Sequence, residues 1–238
     1  MSPEGRFHSL VVTITVSLMF LGTVVFLPFI QASHLPGKIV AWQVALLASS
    51  GTYNLVAKGL KQLLRGVRKV KQWILGPSYL EGTWIGYFTD QHHCPYYVIE
   101  HFEQDLMNLI IRGVAYYENG ETYAQWSSTT TNIDVHPGML IYSYTCDVYQ
   151  SKMSHQGIAV FNLWRNSVTK PPYRIEGYTA DLVNNVRTSS REKKLSTDFI
   201  ETQKALGEAK RFAEKELNVK QIEQAVSPAV IDTSSVTE

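Results

Sequence analysis

The feature that most constrains the fold is a stretch from about Leu80 to Leu182 in which apolar and polar residues alternate. Alternation with period two is typical of strands that bury one face. The stretch opens with Leu80-Glu81-Gly82-Thr83-Trp84, in which a glycine precedes a tryptophan by two positions. This opening predicts the first strand of a small barrel, with Trp84 filling the bottom while Gly82 and Gly86 let the chain bend.

Turn signals divide this stretch into seven candidate strands and a shorter eighth. Asn119-Gly120 favours a hairpin turn, and His136-Pro137-Gly138 and Lys170-Pro171-Pro172 are further breaks. About eight short antiparallel strands close most readily into an up-and-down barrel, whose interior is either filled or holds one small ligand. The candidate strands are Thr83–Asp90, Tyr96–Gln104, Met107–Tyr117, Thr122–Thr131, Met139–Gln150, Gln156–Trp164, Tyr173–Leu182 and a short one near Lys193–Leu195.

Two uncharged segments precede the predicted barrel. Leu10–Ile30 is 21 residues long and carries no charge, which is enough for a helix to cross a bilayer. A cleaved signal peptide, with Arg6 before the apolar run and cleavage near Ala32, is the alternative, although the run is long for that class. Ile39–Ala57 is also uncharged but more polar, and we interpret it as a second span.

The second span would have a polar face that meets another helix, because small and polar residues pack closely between membrane helices. A half-buried surface helix is the alternative. Pro36-Gly37 between the two segments predicts a tight helical hairpin. The residues of the polar face are Gln43, Ser49, Ser50 and Asn54.

A run of basic residues without an acidic one follows the second segment. Such runs stay cytoplasmic and are attracted to anionic headgroups, so both termini and the barrel are expected on the cytoplasmic side. The net charge of the whole chain is only +1, which gives no reason to expect a nucleic acid polymer as partner. The run comprises Lys58, Lys61, Arg65, Arg68, Lys69 and Lys71.

The period changes to that of a helix from Ser196 onward. Ser196 or Thr197 is a candidate N-cap, and we expect an amphipathic helix that packs on the barrel or on a second copy. Its apolar face comprises Ile200, Leu206, Phe212, Ala213 and Leu217. The predicted domains are a transmembrane hairpin with a basic linker over 1–74, a β-barrel sensor over 78–195, and a C-terminal helix with a loose tail over 196–238.

The sequence contains no recognisable catalytic arrangement. There is no nucleophile elbow, phosphate-binding glycine loop or zinc-protease motif. His92-His93-Cys94 is interpreted as a polar turn, with metal binding as the alternative, because on a strand His92 and Cys94 could share a face but His93 could not. Cys94 and Cys146 are expected to be free thiols, with a disulfide across the barrel as the alternative. We therefore predict neither enzyme activity nor a metal or other cofactor.

Aromatic and basic residues along the predicted strands suggest a ligand-binding cup. Aromatic rings stack on nucleobases, and arginine and hydroxyl groups hold phosphates. The alternative is that the tyrosines simply fill the core. The candidate ligand-binding residues are Trp84, Tyr142 and Tyr144 for bases, Arg174 and Arg187 for phosphates, and Tyr178 and Thr179 for hydrogen bonds.

The order of these parts resembles the two-transmembrane, β-strand-rich effectors of the bacterial cyclic-oligonucleotide anti-phage signalling system (CBASS). The similarity runs from about residue 10 to residue 190. It rests on the two spans, the basic linker and four motifs: Leu80-Glu81-Gly82-Thr83-Trp84, Leu140-Ile141-Tyr142-Ser143-Tyr144, His155-Gln156-Gly157-Ile158-Ala159, and Ile175-Glu176-Gly177-Tyr178-Thr179, which precedes Asn184, Arg187 and Thr188.

The resemblance implies a receptor in the bacterial inner membrane. In that family a partner nucleotidyltransferase makes a cyclic dinucleotide, the barrel binds it, and homo-oligomerisation leads the helices to disrupt the membrane. Two alternatives remain. A membrane-tethered, lipocalin-like barrel for an apolar small ligand predicts an apolar cavity without arginine. A scaffold with a filled barrel would recruit its partner through the helix over residues 196–219.

Overall fold

The computed structural model describes residues 3–32, 38–90, 94–106, 108–149, 153–182 and 186–226. Two compact units divide the chain. The first contains residues up to Tyr79 together with 104–109 and 167–171, and the second contains 80–103, 110–166 and the chain from Pro172 onward. Pro36-Gly37, His92-His93, Asn184 and the predicted strand ends Met107 and Gln150 lie outside the described residues.

The second unit contains a closed barrel of eight strands, as predicted. Each strand pairs with its neighbour in the sequence, and the antiparallel pairing of β1 with β8 closes the barrel. Closure leaves no unpaired edge strand. The strands are β1 Gly82–Thr89, β2 Pro95–Gln104, β3 Leu109–Tyr116, β4 Thr122–Asp134, β5 Met139–Val148, β6 Met153–Trp164, β7 Arg174–Asp181 and β8 Arg187–Ser196.

The eighth strand is ten residues long, and the prediction of a short strand near Lys193–Leu195 was wrong in extent. Three inward positions of β8, Thr188, Ser190 and Glu192, line the cavity inside the barrel. Polar inward residues hide the apolar alternation by which a strand is normally found. Strand β8 nevertheless pairs with β7 over residues 187–193 and with β1 over residues 190–196.

One end of the barrel is filled by apolar side chains. Trp84 is fully buried, stacks on Phe102 with ring centroids 5.2 Å apart, and donates its indole N–H to the carbonyl of Leu80 at 2.8 Å. Gly82 has φ 131°, where a Cβ would overlap the backbone of Ser196. The predicted bend at Gly82 and the burial of Trp84 are therefore confirmed.

Helix α4, Thr202–Val226, packs on the outer wall of the barrel. The predicted start at Ser196 was wrong, since Ser196 ends β8 and its hydroxyl accepts the N–H of Asp198. Ile200 therefore lies before the helix. The predicted apolar face does contact the barrel, and Phe212 and Ala213 are buried there. The wall residues in this cluster are Ile85, Tyr87, Tyr97 and Ile99.

The first unit is helical. Its elements are α1 Pro3–Ala32, α2 Lys38–Gly66, α3 Arg68–Leu75 and a single 3₁₀ turn, Gly76–Ser78. The beginning of α1, the end of α2 and α3 meet around a small apolar core of Phe7, Val11, Leu60 and Ile74.

Among the described residues, one helical stretch, Pro3–Gly22, is long and apolar enough to cross a membrane. Length and composition of this kind are shared by signal sequences and by the core helices of soluble proteins. Helix α2 covers the predicted second span, and its crossing of a membrane stays a prediction, as does the orientation. Ser50 and Asn54 of the predicted polar face are exposed, whereas the side chains of Gln43 and Ser49 lie outside the described part.

The basic run bridges two helices. It continues α2 only as far as Gly66, and α3 begins two residues later. Lys58, Lys61 and Lys69 are exposed, as a headgroup-binding surface requires. Lys71 is buried and donates to the carbonyl of Gln104 at 2.9 Å, so this lysine stabilises the first unit instead.

Candidate ligand-binding cavity

The barrel encloses a cavity of about 700 Å³. It lies away from Trp84, towards the end of the barrel where β1 connects to β2, β5 to β6 and β7 to β8. Its described lining consists of Phe88, Val98, Glu100, Ala115, Tyr123, Ala124, Trp126, Tyr142, Tyr144, Cys146, Val148, His155, Thr179, Asp181, Val186, Thr188, Ser190 and Glu192.

Large inward side chains of the cavity lie over glycines on the neighbouring strands. Gly113 pairs with Trp126, and a Cβ at Gly113 would overlap the indole ring. Gly157 pairs with Tyr144, and a Cβ there would overlap the phenol ring. Each glycine thus provides the space in which an aromatic ring lies flat against the wall, and the rest of the interior stays open.

Two carboxyl groups form the floor of the cavity. Glu100 on β2 is 0% exposed and Glu192 on β8 is 2% exposed. Oε1 of Glu100 accepts hydrogen bonds from Nε1 of Trp126 at 2.7 Å and from the hydroxyl of Tyr142 at 3.2 Å. Oε1 of Glu192 accepts one from the hydroxyl of Ser190 at 3.2 Å. Residues from four strands therefore meet at this floor.

The two carboxyl groups of the floor favour a single proton shared between them. If both groups are ionised, the Oε2 atom of each is buried without a hydrogen-bond partner. With a proton on Glu192, the two carboxyl groups hydrogen-bond to each other. Burial raises the pKa of Glu100, and burial together with the charge of Glu100 raises the pKa of Glu192 well above its usual value. Two buried carboxyl groups this close do not both ionise readily.

Among the described residues nearer the mouth, the polar groups are not arranged for nucleophilic catalysis. Cys146 and His155 are opposite each other on β5 and β6, and Nδ1 of His155 lies 3.4 Å from a carboxylate oxygen of Asp181. Burial raises the pKa of the Cys146 thiol to about 11, so it is protonated at neutral pH and a poor nucleophile. Cys94 is exposed and also free, which confirms the prediction of two free thiols.

Three of the predicted ligand-binding residues line the cavity: Tyr142, Tyr144 and Thr179. Tyr144 is hydrogen-bonded to Thr179, and burial raises the pKa of its phenol to about 12. Tyr142 is almost fully buried at the floor. Trp84 lies among the residues of the filled end and is absent from the lining.

The other three predicted residues lie on the outer face of the barrel. Tyr178 and Arg187 alternate with the inward residues Thr179 and Thr188, and the Arg187 guanidinium lies 4.8 Å from the centroid of the Tyr178 ring. Arg174 binds Glu216 of α4 in a bidentate contact, at 2.8 and 3.1 Å, and also contacts Glu176. Arg174 thus fastens α4 to the barrel.

The cavity is acidic. Three carboxyl side chains and one imidazole line it, and no lysine or arginine does so among its described lining residues. Sequence reasoning missed the floor residues Glu100 and Glu192. In the described chain, no group of three or more histidine, cysteine, aspartate or glutamate side chains is arranged to hold a metal ion.

Comparison with known proteins leaves the family unassigned. No protein-family model matches the chain, and no curated protein matches it. Among solved structures, a redesigned β-barrel matches 51% of this chain and 96% of its own length, with 13% sequence identity and a TM-score of 0.37. The resemblance to CBASS effectors therefore stays a prediction.

Proposed function

We propose that this chain is a membrane-anchored receptor whose barrel binds a cyclic dinucleotide with its bases directed into the cavity. The observation that carries the proposal is a cavity of about 700 Å³ with aromatic walls. Small-molecule sites commonly measure about 300–1,000 Å³ and combine apolar walls with a few polar groups. Trp126 and Tyr144 offer ring surfaces, and stacking on such rings is the common way to hold a nucleobase.

The phosphates of such a ligand would stay at the mouth. The described lining has no cationic side chain for a phosphate, and its floor is acidic. Arg187 begins β8 at the mouth end of the barrel and is exposed. Exchange of its contact with Tyr178 for a ligand phosphate would replace a cation–π contact with a charge-assisted hydrogen bond.

The helical unit supplies the proposed anchor. Apolar side chains along α1 are exposed, among them Val16 at 61% and Phe20 at 68%. Exposed apolar surface of this extent is typical of a membrane or protein contact. Trp73 on α3 is 63% exposed beside Lys69, and tryptophan and lysine are both frequent at membrane interfaces.

The proposed response is oligomerisation followed by membrane disruption in anti-phage defence, as the resemblance to CBASS effectors implies. A ligand shifts the chain towards an assembled form only if it binds that form more tightly. Assembly would bring the polar residues of α2, such as Ser50 and Asn54, against each other instead of against lipid.

A second candidate function is a membrane-tethered carrier or receptor for a small uncharged or cationic ligand. The acidic lining, which contains no lysine or arginine among its described residues, favours it. It requires the same cavity and anchor but no phosphate contact and no partner nucleotidyltransferase.

Thermal melting of the full-length protein in maltoside micelles tests both candidates. A panel of 3′–5′ and 2′–5′ cyclic dinucleotides and cyclic trinucleotides is added at rising concentration. A ligand at 100 times its Kd stabilises the folded state by about 2.7 kcal/mol, which raises the melting midpoint. Trp126→Leu should remove the rise, whereas Trp164→Leu, on the outer wall, should not. If no panel member raises the midpoint, cyclic dinucleotide binding is refuted.

A further inference from the structure

The carboxyl pair at the cavity floor is built into the barrel, and the described residues that line the cavity include no lysine or arginine. Glu192 fits because Gly86, its partner on β1, has no side chain, and a Cβ at Gly86 would overlap the Glu192 side chain. The oxygens of Glu100 hold Trp126 and Tyr142, two of the aromatic residues that line the cavity. A core without a function would be more stable with apolar residues at these two buried positions.

The groups around the pair leave it acidic. Tyr142 and Tyr144 of β5 face it, Trp126 of β4 and Ser190 of β8 donate hydrogen bonds to it, and β1 contributes a glycine. The alternation of β8 places Lys194 on the same inward face as Glu192 and Arg191 on the outer face. Lys194 lies over the Trp84 ring, with Nζ 5.7 Å from its centroid, and Arg191 binds Glu216 of α4 on the outer wall. His155 and Asp181 are the other titratable pair in the described lining.

We propose that Glu100 and Glu192 are the specificity-determining residues of the cavity. They position Trp126 and Tyr142, and their negative charge admits a planar uncharged or cationic ring at the inner end while keeping anionic groups at the mouth. This inference rests on the proposed ligand binding by the same cavity. A single negative charge a few ångströms away in such an interior changes the affinity for a charged ligand by about tenfold or more.

Two planar dyes of similar size and opposite charge test the inference. Proflavine is a cation and anthracene-2-sulfonate is an anion, and their binding to the full-length protein in maltoside micelles is measured by fluorescence anisotropy, with empty micelles as the blank. The key variant is Glu100→Gln/Glu192→Gln, which keeps the shape and the hydrogen-bond acceptors but removes the charge. Glu103→Gln changes an exposed glutamate on the same strand and is the matched control.

We expect the unmodified protein to bind proflavine at least about tenfold more tightly than the sulfonate. The preference should grow as the pH rises above the ordinary glutamate value of 4.5 and the pair loses its proton at its raised pKa. Both the preference and its growth should disappear in the double variant and persist in the control variant. A purely structural role for the pair would not make the preference depend on pH.

The proposal is overturned if neither dye binds above the blank, if the sulfonate binds as tightly as proflavine, or if the double variant keeps the preference. A pH dependence that survives in the double variant would not come from the carboxyl pair and would also overturn it. Failure of the cyclic dinucleotide panel together with intact dye selectivity would refute the proposed function alone. Cyclic dinucleotide binding without dye selectivity would refute this inference alone.

Discussion

Replacement of Glu192 by glutamine should stabilise the protein at neutral and alkaline pH. Burial and the charge of Glu100 raise the pKa of this carboxyl above the ordinary value of 4.5. The folded chain therefore binds a proton that the unfolded chain releases at lower pH. Stability falls as the pH rises from about 4.5 to the folded pKa, by about 1.4 kcal/mol per pH unit for each such proton.

The glutamine variant removes this loss and keeps the contacts. Its amide oxygen can accept from Ser190 as Oε1 of Glu192 does, and its amide nitrogen can donate to the Glu100 oxygen that lacks a donor when both carboxyls are ionised. For a chain of this size 1 kcal/mol corresponds to about 2–4 °C in Tm, so each pH unit across that window should add about 3–5 °C to the advantage of the variant.

The measurement is thermal unfolding of full-length protein in maltoside micelles, followed by near-ultraviolet circular dichroism at pH 4.5, 6, 7.5 and 9. The two proteins should have similar Tm values at pH 4.5 and should diverge as the pH rises. Glu103→Gln should follow the unmodified protein, because Glu103 is exposed and pairs with Arg112 at 2.8 Å. If the Tm of the Glu192 variant and the Tm of the unmodified protein change equally with pH, a proton shared at the cavity floor is refuted.

Three further predictions concern the barrel and α4. Trp126→Phe leaves a floor carboxyl oxygen without its indole donor and should lower the free energy of unfolding in urea by about 1–3 kcal/mol, whereas Trp164→Phe, half-exposed on the outside, should change it by less than about 0.5 kcal/mol. Gly157→Ala introduces a Cβ that overlaps the Tyr144 ring and should lower the free energy of unfolding by about 1–3 kcal/mol. Gly207→Ala, in open space on α4, should raise it by about 0.5–1 kcal/mol in the same experiment. Glu216→Gln should cost about 1 kcal/mol at pH 7, because this half-buried carboxyl holds two arginines of the wall. Burial raises the pKa of this carboxyl, but the two arginines outweigh burial and lower it, so the cost should shrink as the pH falls below the ordinary value of 4.5 and through the lowered pKa.

The barrel was predictable because most of its inward positions are apolar or aromatic. Alternation located seven strands to within a few residues, and the hairpin at Asn119-Gly120 followed from turn chemistry. Strand β8 was underestimated because its inward residues are polar. The start of α4 was placed too early because Ser196 resembles an N-cap, whereas its hydroxyl makes a local turn before the helix.

The cavity was only partly predictable. Tyr142 and Tyr144 share a strand face, and both do line the cavity. Arg174 was chosen from an equally regular alternation, but the sequence of β7 does not tell which face points inward. The missed residue Glu100 did carry a signal, because it lies between the inward residues Val98 and Phe102 in a mostly apolar strand. A charged residue at a buried strand position is unusual, so Glu100 is the residue to mutate first in a functional study.

The meeting of β1 and β8 has a consequence for the order of folding. This seam joins the two ends of the barrel sequence, and α4 contacts β1 and β2 on one side of it and binds arginines of β7 and β8 on the other. During synthesis on a ribosome the barrel cannot close until β8 has emerged, long after the N-terminal helices. Helix α4 emerges after that strand, and its contacts on both sides of the seam hold the closed barrel together.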